Sequence, residues 1–214
     1  MKLTFAEIKQ RLEDPFFELR MIGKDTVRMR TAATRGYVEV PDNLQFMEWS
    51  AEGSSETILY SFHETSIGRL LLAGTTAGLC FLGFACHGDA EVEADFVRRF
   101  PGQPVERGVN RHQELAAGYC NGNREQVVAL HLKGTDFQVG IWKRLVCIPE
   151  GGLSTYGSLS DDPGAAQAVG SAVGANPVSY IVPCHRVVKS DGDIRGYHWG
   201  TDIKKQLLAY ELQP

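Results

Sequence analysis

The sequence predicts an α+β protein, in which a sheet-plus-helix part is followed by a mostly helical part. Three observations support this class. Strand-like apolar runs separated by turns occupy the middle of the chain, one amphipathic helix follows them, and short helical segments fill the last third. The chain has 214 residues, 43% hydrophobic and 22% charged, which is typical of a globular protein with one or two domains.

The sheet is predicted from runs of β-branched and aromatic residues that turn residues bound. These runs cover residues 58–62, 70–73, 79–84 and 127–132. We expect the first three to form a small antiparallel sheet. A helix over 90–100 would pack on this sheet, because Val92, Phe96 and Phe100 recur at helical spacing, and the polar stretch 118–123 is predicted to be a loop.

Short helical patterns define the C-terminal part. A first helix starts after Thr135, a second segment covers 156–160, a third covers 165–176, and a last helix reaches Glu211. Two short helices with a tight turn predict a helix-turn-helix. The third segment is rich in alanine and glycine, which fits either close helix packing or a close approach to a nucleic-acid groove.

The chain is therefore divided into three segments. Residues 1–50 are an N-terminal extension without an assigned role, with a helix predicted from Thr4 to about Arg11 and possible strands within 26–40. Residues 51–130 form the sheet-plus-helix domain. Residues 131–214 form the mostly helical domain.

Charge and apolar patterning exclude several classes of protein. The net charge is −4, and residues 131–214 carry eight Lys/Arg and eight Asp/Glu, which argues against a strongly basic nucleic-acid binder. No apolar run reaches the length of a membrane span, and the N-terminus lacks the apolar core of a signal peptide. We therefore expect a cytoplasmic protein that does not insert into a membrane.

The five cysteines are odd in number and irregularly spaced, so no disulfide framework is predicted. Cys80, Cys86 and His87 lie close together, but they lack a second ligand pair at zinc-site spacing. Core packing is the better interpretation, and we expect neither a metal nor a cofactor.

The most informative motif is Pro183-Cys184-His185-Arg186, which follows a strand predicted over Ser179–Val182. Proline cannot donate to a sheet, so Pro183 is expected to end the strand and fix the turn that presents the thiol. A nearby imidazole helps a thiol to become the nucleophilic thiolate. A buried cysteine that only fills space is the alternative.

Six segments in one order resemble the O6-alkylguanine-DNA alkyltransferase family. They are Thr155-Tyr156-Gly157, Ala168-Val169-Gly170, Asn176-Pro177, the segment from Pro183 to Val188, Gly196-Tyr197, and the closing Lys204 with Leu207–Glu211. The resemblance is close over 134–211 and looser over 56–130, and it is strongest to the C-terminal half of bacterial adaptive-response proteins. It implies a ribonuclease-H-like N-terminal domain and a C-terminal helix-turn-helix of winged-helix-like type.

The resemblance also implies a reaction. The alkyl group on guanine O6, with O4-alkylthymine as a second candidate, would pass irreversibly from double-stranded DNA to Cys184. The base must leave the helix to reach the thiol, and unstacking it costs a few kcal/mol. The family needs no cofactor and reads DNA through the minor groove, and we expect a monomer.

The resemblance assigns roles to named residues. Cys184 is the acceptor, His185 takes its proton through a water, and Glu211 orients His185. Asn176 braces the active-site turn, and Tyr156 helps to rotate the nucleotide and protonates the leaving guanine. The remaining residues expected to contact the base or the DNA are Tyr197, Lys204, Gln167, Ala168, Gly170, Arg186 and Val187.

The chain departs from the family at three places. Gln167 stands where the family has an arginine that fills the space of the extruded base. The segment 157–164 is about three residues short and carries Asp161 and Asp162, which would repel phosphates. Arg195 stands where a small residue is usual and is expected to narrow the pocket mouth.

Three other functions compete with repair. A non-catalytic sensor of alkylated DNA would share the scaffold, but such proteins lack the cysteine. A transcriptional regulator would need a further DNA-binding module, which residues 1–50 do not display. A cysteine hydrolase would need a remote histidine with Asn or Asp at a spacing that is not evident.

Overall fold

A computed structural model of the protein describes residues 40–49 and 56–211. The helix predicted from Thr4 to about Arg11 and the strands predicted within 26–40 lie, apart from residue 40, outside the described residues. Within them the chain forms two compact units, one of residues 41–136 with 177–181, and one of residues 137–176 with 182–211. No helix in the described ranges is both long enough and apolar enough to span a bilayer.

The first unit is built on a six-stranded sheet with the strand order β1-β6-β4-β3-β2-β5. Its strands are β1 (Leu44–Met47), β2 (Ile58–Thr65), β3 (Gly68–Gly74), β4 (Leu79–Phe84), β5 (Val105–Arg107) and β6 (Val128–His131). Its helices are α1 (Asp89–Arg99) and α2 (Arg111–Cys120). Strands β3 and β4 are almost wholly buried, which explains their continuous apolar sequences.

The three strands predicted to form an antiparallel sheet do so, but they belong to a larger mixed sheet. Strands β2, β3 and β4 are antiparallel as predicted. Strand β6, however, pairs in parallel with β1 and β4, and β5 pairs in parallel with β2. Parallel neighbours need long crossovers, and α2 lies in the one that joins β4 to β6. The two edge strands have only four and three residues, so their sequence patterns are too short to be recognised.

Helix α2 corrects the loop predicted over 118–123, because residues 118–120 are its last residues. The Asn110 side chain caps its start by accepting from the Gln113 amide. Gln113 is fully buried and donates to the carbonyls of Leu59 and Gly108. A helix that buries a glutamine has little apolar periodicity, which is why the pattern was missed.

One buried histidine, His131, links β6 to its surroundings. Its Nε2 lies 3.2 Å from the Glu48 carbonyl and must donate, and in the neutral ring Nδ1 accepts from the Thr75 hydroxyl at 2.7 Å. The ring stacks on Trp49 at 4.4 Å between centroids. Burial lowers the pKa of His131 below its usual 6.5 and so favours the neutral imidazole.

We therefore expect His131 to make the sheet unit sensitive to mild acid. Above pH 6.5 the ring is neutral whether the chain is folded or unfolded, and its full contribution to stability is present. As the pH falls below 6.5 the unfolded chain binds the proton more readily, so this contribution is lost. Thermal melts from pH 7.5 to 5 should fall less steeply for His131→Gln than for the natural protein. Equal slopes would contradict the assignment.

The second unit consists of short elements. They are α3 (Asp136–Val146), β7 (Ser154–Thr155), 3-10 turns at Tyr156–Leu159 and Pro163–Ala165, α4 (Ala166–Gly174), a 3-10 turn at Cys184–Arg186, β8 (Val187–Val188) and α5 (Thr201–Glu211). Helix α4 buries Val169, Ala172 and Val173, and the Trp142 indole of α3 donates to the Ala172 carbonyl at 2.8 Å. The helical segment predicted over 156–160 is a 3-10 turn, Tyr156–Leu159.

The strand predicted over Ser179–Val182 is absent from the described residues. Only Val178 forms a single bridge, to Leu82 of the sheet unit. Tyr180 has a φ of 69°, which breaks any extended run. Pro183 does precede a turn, because it caps the 3-10 turn that carries Cys184.

Candidate active site

A two-stranded parallel sheet brings the parts of the candidate site together. Ser154 of β7 pairs with Val187, and Thr155 pairs with Val188 of β8. Tyr156 follows β7 directly, and the turn Cys184–Arg186 precedes β8 directly. A small apolar cluster of Leu153, Val188, Ile194 and Leu208 is buried in the same unit. The sheet thereby holds two distant segments of the sequence in one register.

The Cys184 thiol is held by Asn176. The Asn176 Nδ2 donates to Cys184 Sγ at 3.1 Å and to the Val182 carbonyl at 2.8 Å. Asn176 is itself buried, and Cys184 is 7% exposed. One amide therefore fixes the backbone before the turn and also offers a hydrogen bond that would stabilise a thiolate.

The His185 imidazole is paired with Glu211. Nε2 of His185 lies 2.7 Å from Glu211 Oε1, and both side chains are 0% exposed. An ionised carboxylate can only accept, so Nε2 carries the hydrogen and Nδ1 is the nitrogen able to take a proton. Burial lowers the pKa of His185, although Glu211 acts in the opposite direction. The imidazole is thus poised as a neutral base.

Glu211 receives several donors at the end of α5. Besides His185, the Arg186 Nε lies 2.9 Å from Oε2, the Arg186 Nη2 lies 2.8 Å from Oε1, and the Gly151 amide lies 3.2 Å from Oε2. Burial alone would raise the pKa of Glu211, but His185 and Arg186 outweigh it and hold the pKa well below its usual range. The carboxylate is therefore ionised and fixed in orientation.

The side chains of Arg186 and Val187 are buried. The Arg186 guanidinium is buried on Glu211 and also donates to the Ile148 carbonyl. Val187 is fully buried, and its carbonyl accepts from the Lys204 Nζ at 2.6 Å. Both side chains belong to the interior that supports the turn, and the contact with the base or the DNA predicted for these two residues stays a prediction.

Lys204 and Tyr156 lie within electrostatic range of Cys184. Burial lowers the pKa of Lys204 to about 8, and a charge on Cys184 opposes that shift. Burial raises the pKa of Tyr156, and Cys184 adds to the rise. Tyr156 also faces Gly170 of α4, where an added methyl group would lie 3.9 Å from its ring. Tyr197 lies in the loop before α5 and is half-buried.

Helix α4 presents a face of small side chains. Gln167 and Ala168 are exposed, and Gly170 is partly exposed, on the side away from the buried Val169 and Ala172. The backbone carbonyl of Gln167 accepts from the Ser171 hydroxyl one turn further along the helix. Such a face allows another molecule to approach the backbone closely.

The aspartates of the short segment have structural partners. Asp161 pairs with Arg144 of α3 at 2.7 Å, and Asp162 accepts from the Gly164 amide at 2.8 Å. The first helix expected for a helix-turn-helix is replaced by 3-10 turns on either side of this pair.

The loop after β8 is fixed by Asp193. Its carboxylate accepts from the Lys189 Nζ and from the Arg195 Nε, each at 2.9 Å. The Arg195 guanidinium, which was expected to narrow the pocket mouth, is thus held in the loop by its Nε while remaining largely exposed. No group of three or more His, Cys, Asp or Glu side chains suited to a metal occurs among residues 40–49 and 56–211.

The pairing of Glu211 with Arg186 and Gly151 was missed by sequence reasoning. The three residues are separated by up to 60 positions, and a polar side chain in a loop or helix end gives no sequence signal of burial. The sequence motif that contains Arg186 does not indicate this pairing, because the pairing depends on the geometry of the turn.

A thiol held by an amide, beside a buried histidine–carboxylate pair, defines a cysteine-dependent group-transfer protein. Residues 136–213 match the family model of the 6-O-methylguanine DNA methyltransferase DNA-binding domain. The inducible methylated-DNA–protein-cysteine methyltransferase of Bacillus subtilis is 33% identical over 167 residues, which cover 75% of this chain and 93% of that protein. The chain belongs to the methylated-DNA–protein-cysteine methyltransferase family.

The matches extend to a longer protein and to solved structures. The bifunctional transcriptional activator/DNA repair enzyme Ada of Escherichia coli is 32% identical over 168 residues, 75% of this chain. The matched part of the chain spans about half of Ada, 47% of its length. A crystal structure of the Mycobacterium tuberculosis O6-methylguanine methyltransferase has a TM-score of 0.57 at 35% identity, covering 72% of this chain and 92% of that one. A structure of the Mycobacterium tuberculosis protein in complex with DNA has a TM-score of 0.54 at 33% identity, with the same coverage.

Proposed function

We propose that this protein repairs alkylated DNA by moving the alkyl group from O6 of guanine to Cys184, and is consumed in the reaction. The observation that carries the proposal is the convergence of the Asn176 amide on the Cys184 sulfur in the same turn as the His185–Glu211 pair. Family membership adds the substrate class, with O4-alkylthymine as a second substrate. No cofactor enters the proposed reaction.

The proposed reaction balances as one displacement. The Cys184 proton passes to His185 Nδ1, by way of a water, and the electron pair on sulfur forms the S–C bond. The C–O6 bond breaks, and its electron pair leaves with the guanine, which takes a proton from the Tyr156 hydroxyl. Proton transfer by positioned groups of this kind contributes about 10²–10⁴-fold to a rate. Lys204 and Tyr197 would line the pocket beside the base.

We further propose that α4 reads double-stranded DNA from the minor groove, with Gln167, Ala168 and Gly170 facing the duplex. The support is the exposed small-residue face of α4 and the likeness to a relative solved in complex with DNA. The ribonuclease-H-like and winged-helix-like fold types, the domain limits 1–50, 51–130 and 131–214, and action as a cytoplasmic monomer belong to the same proposal.

The test is the intact mass of the protein after incubation with an oligonucleotide that carries O6-methylguanine. The natural chain is expected to gain the mass of one methyl group, and Cys184→Ala is expected to show no gain. Cys147→Ala is the matched control, since Cys147 is a half-buried thiol whose Sγ donates to the Lys143 carbonyl. Binding of the damaged duplex without a mass gain would indicate a non-catalytic sensor instead.

Gln167→Arg is expected to speed repair of duplex substrate about tenfold. Glutamine is shorter than arginine and uncharged, so it stacks less well in the space that the extruded base leaves. Single-turnover rates on duplex and on single-stranded oligonucleotide measure the effect. The gain should be confined to the duplex, and Ser171→Arg on the same exposed face should not reproduce it. Equal rates for Gln167→Arg and the natural protein on duplex would count against this role.

A further inference from the structure

We propose that Arg186 is a positioning residue for the transfer: its guanidinium is the permanent counter-ion of Glu211 and so leaves His185 neutral, with Nδ1 unprotonated and able to receive the Cys184 proton. The inference rests on the proposed function of the Cys184 thiol. It gives the arginine of the motif a role inside the protein in place of the predicted DNA contact.

All three nitrogens of the Arg186 guanidinium are hydrogen-bonded inside the protein. Nε lies 2.9 Å from one oxygen of Glu211, Nη2 lies 2.8 Å from the other, and Nη1 donates to the Ile148 carbonyl. This two-pronged contact is the strong form of an arginine–carboxylate pair. The Arg186 side chain is 10% exposed, so it could reach a phosphate only by leaving Glu211 buried and uncompensated.

The charges around His185 explain why a permanent cation matters. Glu211 and Lys204 face it from α5, and Cys184 and Arg186 belong to its own turn. Lys204 donates to the Val187 carbonyl, whereas Arg186 contacts the carboxylate directly. The positive charge of Arg186 and the negative charge of Glu211 therefore neutralise each other before the reaction begins. When the Cys184 proton then moves to His185 Nδ1, the net charge of the buried side chains together stays the same.

Without Arg186, the imidazole would become the nearest counter-ion of Glu211. A buried carboxylate favours a cation beside it, so His185 would hold a proton at neutral pH. A protonated imidazole has no nitrogen left to accept a second proton. The thiol proton would then have to leave for solvent, and transfer would depend on pH in the neutral range.

Two substitutions separate charge from geometry. Arg186→Gln removes the charge, and Arg186→Lys keeps it but cannot form the two-pronged contact together with the Ile148 bond. The readouts are single-turnover transfer rates from pH 5.5 to 9 and the NMR titration of His185 in protein with labelled histidine. Arg144→Gln is the matched control, since it removes another arginine–carboxylate pair of the same unit, the one with Asp161.

For Arg186→Gln we expect the acid limb of the rate profile and the His185 titration to move up together by about one pH unit, so that transfer at pH 6 is about tenfold slower. Arg186→Lys should slow transfer at all pH values while His185 titrates as in the natural protein. Arg144→Gln should leave both readouts unchanged.

An unchanged His185 titration in Arg186→Gln overturns the proposal, as does a loss of rate that is the same at every pH. If Arg186→Gln does not fold, Arg186→Lys decides, because an upward shift of the His185 titration in that variant contradicts a role for charge. Failure of the natural protein to accept a methyl group would sink the proposed function alone, since the titration is read without substrate.

Discussion

Glu211→Gln is expected to destabilise the protein by about 3–5 kcal/mol, because it leaves the buried Arg186 charge without a partner. It should also slow alkyl transfer by about 10²–10⁴-fold, the usual contribution of a positioned base, since His185 would lose the carboxylate that orients it. The amide has nearly the shape of the carboxylate, so the effect is one of charge. Urea unfolding and single-turnover transfer measure the two losses separately.

A matched control is available in the sheet unit. Glu93 also pairs with an arginine, Arg107 at 2.9 Å, and accepts from the Tyr60 hydroxyl, but here the arginine is largely exposed and the carboxylate partly exposed. Exposed ion pairs contribute about 0–1 kcal/mol, so Glu93→Gln should change stability little and the transfer rate not at all. A Glu211→Gln variant as stable and as fast as the Glu93→Gln variant would contradict the buried network.

The loss of stability in Glu211→Gln should depend on pH with a defined sign. The pKa of Glu211 is lower in the folded chain than in the unfolded chain, whose ordinary value is 4.5. Its contribution is thus present in full above pH 4.5 and is lost as the pH falls toward the folded value. The natural protein and Glu211→Gln should converge in stability on acidification, as measured by thermal melts from pH 7 to 3.

The sequence predicted those parts of the fold that local apolar patterns determine. Strands β3 and β4 are continuous buried apolar runs, and β2 and helix α1 bury part of their apolar residues; each of the four was predicted within a few residues. Strand β1 and helix α2 were missed because pairing and capping define them more than hydrophobicity does. The parallel pairing of β6 depends on crossovers, which no local pattern encodes.

The candidate site shows the same division. Family motifs indicated Cys184, His185, Asn176 and Glu211, and the structure joins their side chains in two hydrogen-bonded pairs, Asn176 with Cys184 and His185 with Glu211. The interior role of Arg186 could not be predicted, because an arginine next to a presumed DNA-binding residue is ordinarily read as a phosphate contact. The distances from Arg186 to Glu211 show that the arginine charge is neutralised inside the protein.

Asn176→Asp is expected to slow transfer by about 10²–10³-fold, the loss that follows when one donor to a developing anion is removed. The aspartate has the same shape, but it offers no hydrogen to the sulfur and places a negative charge 3.1 Å from it, where the thiolate must form. The Val182 carbonyl would lose its donor as well, at a cost of about 1–3 kcal/mol for an unsatisfied buried group.

The rate loss and the stability loss can be separated by Asn43→Asp. Asn43 likewise donates through Nδ2 to a backbone carbonyl, that of Arg124 at 3.0 Å, but it lies in the sheet unit. The same change there should lower stability and leave the transfer rate of the folded protein intact. If Asn176→Asp loses no more rate than Asn43→Asp, the amide serves only the backbone and the thiolate needs no donor at this position. A rate loss confined to Asn176→Asp means that the amide acts on the sulfur itself.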